Sequence, residues 1–241
     1  MIVNSITKGW EIIYQRAHGL LAVDIAQHWQ KKSRPARWVE TLAAVTEHDD
    51  AQEAWHAHYH LSDVGAPQDF TLQPFSLQQA QAITRMAAYK SQWIGLLISS
   101  HITFLYESLR GKSKAIDDFL DEQKQHQAKW KKELNLDKNA IEMAYGLLQW
   151  CDRCSLILCK GDLPEAQRDL EIFTMPDGIQ YFIKQRNDQS ISVKPWPFEI
   201  NEFEVMVESR ALRQLQFKDD KALELALKNA PVEYKKWIFK R

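Results

Sequence analysis

The stretch Tyr145-Gly146-Leu147-Leu148-Gln149-Trp150-Cys151-Asp152-Arg153-Cys154-Ser155-Leu156 decides the reading of the fold. Extended on both sides, it places Ile141, Tyr145, Leu148, Leu156 and Cys159 on one stripe, which predicts a helix over residues 138–160. Asp152 falls inside that apolar stripe. A buried carboxylate is costly unless it is neutralised or paired, so the sequence must supply a counter-charge.

Working outward, three further helices turn a titratable residue toward their own apolar side. Over residues 17–32, His18 aligns with Leu21, Ala22, Ile25 and Trp29. A second helix follows Arg34-Pro35, where proline suits the first turn, and reaches about residue 49; its stripe of Trp38, Leu42 and Val45 leads to His48-Asp49. A third, over residues 91–109 and ending at Gly111, carries Ile94, Leu97, Ile98, His101 and Leu105. One inward histidine is usually a hydrogen-bonded core residue, and one inward aspartate usually a cap or an arginine partner. Their coincidence is what points to a metal. Carboxylates and imidazoles converging from separate helices satisfy one another around a divalent cation, and a bundle core is where such sites are built.

The flanks read differently. Residues 2–4 and 10–15 are strand-like, with Lys8-Gly9 as the turn of an N-terminal β-hairpin. Residues 56–74 read as a loop broken by Gly65, Pro67 and Pro74, and the charged run over 112–132 as a solvated helix. Beyond Pro164 come strand-like segments at 172–174, 180–184, 190–193, 203–209 and 234–239, with a short helix at 221–229. The expected fold is mainly α (α+β): a single domain over 1–241 with a helical bundle over 17–160. The hairpin (1–16) and a C-terminal β-rich appendage (165–241) are expected to pack together, their strands pairing into one sheet against the bundle.

Composition narrows the function. Lys+Arg number 31 against 32 Asp+Glu, so no basic footprint for nucleic acid or anionic lipid exists. Apolar runs fall well short of the roughly 20 residues that span a bilayer. No signal peptide is expected at Met1, and the 3 cysteines make no disulfide framework, so the expected compartment is the cytoplasm.

The segments Ala17-His18-Gly19, Glu47-His48-Asp49-Asp50 and Cys151-Asp152-Arg153 resemble the HD-domain superfamily, whose pattern is a His, an adjacent His-Asp and a distant Asp on successive helices. The likeness covers about residues 17–160. More narrowly, the chain resembles an uncharacterised bacterial family of HD-like proteins of unknown function, with a second Asp after the His-Asp and a Pro195-Trp196-Pro197-Phe198 stretch in its β region. The resemblance implies an HD-like helical bundle with His18, His48, Asp49 and Asp152 as metal ligands, and His101 as a further ligand or a hydrogen-bond donor to substrate.

Such a donor set suits Mn, Fe, Co, Ni or Zn, and one ion is expected. With it goes a metal-dependent phosphohydrolase acting on a small phosphorylated substrate through activated water. Asp49 would hold or deprotonate that water, Asp50 or His101 would assist proton transfer, and Arg153, Lys160 and Arg16 would bind phosphate. The alternatives are a di-iron oxygenase and a non-catalytic metal-containing binding or scaffold protein. Oligomeric state is left open. Cys151-x-x-Cys154 reads as core-filling thiols and His56-x-His58-x-His60 as loop histidines; Trp55 is placed near the site if the His-Asp helix continues. There is no phosphate-cradling glycine loop and no nucleophile elbow.

Overall fold

The structure, a computed structural model, describes residues 1–50 and 60–241. Strands β1 (Ile2–Ile6) and β2 (Gly9–Ile13) open the chain, followed by helices α1 (Gln15–Gln27), α2 (Trp38–Glu47), α3 (Leu77–Lys90), α4 (Gln92–Tyr106), α5 (Lys114–Leu134) and α6 (Lys138–Lys160). Then come β3 (Leu170–Thr174), β4 (Gln180–Gln185), β5 (Ile191–Lys194), β6 (Glu202–Leu212), α7 (Asp220–Asn229) and β7 (Val232–Lys240).

The expectation of a mainly helical, HD-like bundle with β appendages is overturned. The strands form one 7-stranded mixed sheet in the order β1-β2-β6-β7-β5-β4-β3, a full layer beside the helices. All its neighbouring pairs are antiparallel except β5–β7. The N-terminal hairpin joins it through β2, where Trp10 stands opposite Leu212. The reason lies in β6: its 11 residues alternate buried and exposed over most of their length, so one face must be covered. The helices cover it. One core runs from Leu21, Ile25, Leu97 and Leu148 on the helices into Ile183, Val193, Val205 and Phe239 on the sheet.

Ile12 and Ile13 show the second layer. Adjacent strand residues point to opposite faces, and Ile13 enters the main core while Ile12 joins Leu212, Phe217, Leu223 and Leu227 beneath α7. Pro195-Trp196-Pro197-Phe198 fastens the end of α1 to the sheet, with the Gln30 amide donating to the Pro197 carbonyl at 2.9 Å and Phe198 fully buried.

One helix falls where the sequence reading assigns no element. α3 starts at Ser76, whose hydroxyl accepts from the Gln79 amide, and buries Ala80, Ile83, Thr84 and Ala87. Half of that stripe is alanine, which carries little periodic signal. The Ser76-x-x-Gln79 cap is the cue that marks it. No helix among the described residues is long and apolar enough to cross a membrane.

Candidate metal centre

The centre is assembled from α1, the end of α2 and α6. α1 begins at Gln15 and buries His18 on the face that meets α2 and α6. Gly19 makes that approach close: a Cβ there would run into the backbone carbonyl oxygen of Thr46. Gly19→Ala is therefore expected to push α1 off α2, cost about 1–3 kcal/mol in denaturant unfolding, and weaken divalent-ion binding measured alongside.

α2 stops at Glu47. Neighbours on a helix point about 100° apart, and His48 still has helical backbone angles, φ −56° and ψ −22°. With His48 as the C-cap and Asp49 in the following turn, both reach the same point.

The distances are those of one cluster. His18 Nε2 lies 3.1 Å from His48 Nε2, 3.3 Å from Asp49 Oδ2 and 3.4 Å from Asp152 Oδ1. His48 Nε2 lies 3.1 Å from Asp152 Oδ1 and 3.7 Å from Asp49 Oδ2. His101, on α4, brings Nε2 to 3.9 Å from Asp152 Oδ2, its ring 5.3 Å from that of His48.

Hydrogen bonding fixes what these atoms are. Each Nδ1 faces a carbonyl oxygen, Gln15 for His18 and Val45 for His48, the latter at 2.7 Å. A carbonyl only accepts, so both Nδ1 atoms carry the proton and a neutral ring leaves a lone pair on Nε2. Two imidazole lone pairs and two carboxylate oxygens then converge, acceptor on acceptor. A proton on one ring relieves one contact, whereas a cation at the centre relieves all of them. Bonds of about 2.0–2.2 Å put neighbouring ligand atoms about 2.8–3.6 Å apart for angles between 90° and tetrahedral, which spans most of the observed separations. The donor set fits a divalent transition metal. Two groups meet metal-binding geometry among the described residues: His18–His48–Asp49 and His48–His101–Asp152.

Electrostatics points the same way. Burial is the largest influence on His48 and lowers its pKa, yet Asp152 and Asp49 together raise it to about 9. Burial works against the charged form of Asp152 too, but His48 and His18 hold it well below the usual carboxylate range. The field therefore demands positive charge at this point. His101 is the exception: burial dominates and lowers it to about 4, so it is a neutral ring, with Nδ1 buried and unpaired.

A family model described as a protein of unknown function (DUF3891) matches residues 1–214, taking in the helical body and most of the sheet. The chain belongs to this family. No curated protein matches, and no solved structure does.

Three contributors to this DUF3891 site are residues to which the sequence reading gives no role in it. Gln15 donates from Nε2 to Asp49 Oδ2 at 2.9 Å. Its place three residues before His18 puts it on the same helix face, the one signal that marks it. Tyr145, two turns before Asp152 on α6, leaves its buried hydroxyl without a partner. Tyr106 joins His48, Asp49, Gln79, Ala80, Ile83 and Ile102 around a cavity of about 60 Å³.

The remaining expected residues are placed as follows. Asp50 is half-buried, its amide donating to the Glu47 carbonyl at 3.0 Å, and it belongs to neither metal-competent group. Arg16 and Arg153 are exposed. Lys160 ends α6, about 12 Å along the helix axis from Asp152, with its ammonium 5.4 Å from the Phe70 ring. Cys151, Cys154 and Cys159 are buried free thiols in the core, and burial pushes all three pKa values up. Trp55, His56 and His58 lie outside the described residues.

Proposed function

We propose that the chain is a metal-dependent phosphohydrolase for a small phosphorylated substrate, with His18, His48, Asp49 and Asp152 holding the ion. The single supporting observation is the convergence of acceptors on a point open on one side only. The two histidine side chains are 0–1% exposed, whereas Asp49 is 27% and Asp152 17% exposed. A closed set of protein ligands reads as structural, and an open side is where a substrate enters. The order His, His-Asp, Asp also resembles that of the HD superfamily, a likeness of ligand order and not of fold.

A bound divalent cation supplies acidified water and a polarised phosphoryl group. The protein does the rest. Gln15 fixes the rotamer of Asp49 through Oδ2 and leaves the other carboxylate oxygen to take a proton from the attacking water. Neutral His101 offers a ring N–H to a phosphoryl oxygen or leaving group. Burial, with Asp152 adding to it, raises the Tyr145 pKa, which keeps the hydroxyl protonated as a second donor.

The test is turnover of a panel of phosphomonoesters, phosphodiesters and nucleotides by the cation-loaded chain. We expect hydrolysis of at least one, reduced about 100-fold or more in Asp49→Asn. No turnover across the panel would sink the assignment.

One observation favours a second reading, a non-catalytic metal-containing protein. The cavity at His48 and Asp49 is about 60 Å³, small beside the roughly 300–1,000 Å³ of small-molecule pockets. On this reading chelation lowers the melting temperature and nothing is turned over.

A further inference from the structure

Away from the metal centre, α3 and α5 both pack against α4 and leave a groove of about 470 Å³ between them. Its floor depends on Gly95 of α4, where an added Cβ would sit 3.1 Å from the Ala88 Cα and 3.2 Å from Trp130 Cη2. The volume is in the range of small-molecule pockets, about 300–1,000 Å³.

The lining is chemically specific. Gln123 is 4% exposed, yet its side-chain Oε1 is buried without a hydrogen-bond partner. Such an atom costs about 1–3 kcal/mol, and a ligand N–H removes that cost. In the same lining the Trp130 indole lies 5.3 Å from the His126 ring, the two planes inclined at 34°, and aromatic faces of this kind are where planar rings stack. Exposed Arg85 and Tyr89 form the α3 rim and Glu122 the α5 rim. The guanidinium suits an anionic group, and the carboxylate suits hydroxyls.

We propose that this groove binds a planar heteroaromatic ligand bearing an N–H donor and an anionic substituent, the chemistry of a nucleoside monophosphate. Gln123 accepts from the ring, Trp130 and Tyr89 flank it, Arg85 pairs with the phosphate, and Glu122 accepts from sugar hydroxyls. The site is distinct from the metal centre. α3 turns Ala80 and Ile83 toward the centre's cavity, and Gln81, Thr84 and Arg85 toward the groove.

The test is calorimetric titration of the full chain with adenosine 5′-monophosphate in EDTA, with adenosine and inorganic phosphate as separate arms. We expect saturable nucleotide binding, and at least about tenfold weaker binding of adenosine or phosphate alone. Gln123→Leu and Arg85→Ala should each weaken nucleotide binding about tenfold or more, and Asp152→Ala should leave it unchanged. Arg85 is exposed, so its variant keeps the test decisive if Gln123→Leu fails to fold. No binding, or binding equal to wild type in both groove variants, overturns the proposal. Binding lost in EDTA or in Asp152→Ala does so as well, because it would put the nucleotide on the metal centre.

Discussion

Asp152→Ala is expected to reduce bound divalent ion from about one per chain to under about a tenth, and to abolish the stabilisation that ion gives. Asp152 touches His18, His48 and His101 at once, so its removal strips the shared counter-charge from three imidazoles. His48 then loses the main influence raising its pKa against burial. In the wild type, free ion at a hundred times its dissociation constant adds about 2.7 kcal/mol. A chain of this size moves about 2–4 °C in melting temperature per kcal/mol. Chelation should thus lower the wild-type midpoint by about 5–10 °C and leave Asp152→Ala unmoved. The measurements are metal analysis of the dialysed protein and thermal unfolding with and without EDTA. A variant that keeps its metal, or a wild type indifferent to chelation, would show that the cluster is held by protons alone.

The parts legible in the sequence are those whose signal is local. The stripes around His18, Val45, His101 and Asp152 need only a few helical turns to read, and the structure gathers His18, His48, Asp49, His101 and Asp152 into two groups that share His48. What escaped depends on distance or on subtle chemistry. Trp10 pairs with Leu212 across two hundred residues, and no local pattern records which strands become neighbours. Each strand-like segment is visible, and so is their joining in one sheet against the helices, but the order of the strands is not. α3 was hidden because alanine packs without announcing a period. Gln15 reads from the sequence as the end of the 10–15 strand, and it acquires meaning only once α1 begins there and Asp49 lies 2.9 Å away. The stop of α2 at Glu47 is likewise invisible in its stripe.

The helix that supplies Asp152 also anchors the two layers, and the two roles should separate by mutation. Trp150 is fully buried where helices meet sheet, its ring 5.0 Å from Trp29, 5.9 Å from Tyr181 and 6.0 Å from Phe198. Trp150→Ala should cost about 3–5 kcal/mol, because a cavity opens among rings from the segment after α1, from β4 and from the corner before β6. That corresponds to a fall of about 6–20 °C in melting temperature. Trp150→Phe should cost far less. The indole N–H is buried without a partner, so losing it returns about 1–3 kcal/mol against the lost ring area. Two positions along a helix are about 200° apart around its axis, which turns Trp150 toward the sheet and Asp152 away from it. Below its lowered midpoint, Trp150→Ala should therefore still bind about one ion per chain while Asp152→Ala binds almost none. Thermal unfolding and metal analysis on the same preparations decide it. A Trp150→Ala chain that melts within about 1 kcal/mol of wild type would mean the aromatic junction does not hold the layers together. One that folds but loses its ion would mean the centre depends on the packing of α6 against the sheet and not only on the ligands themselves.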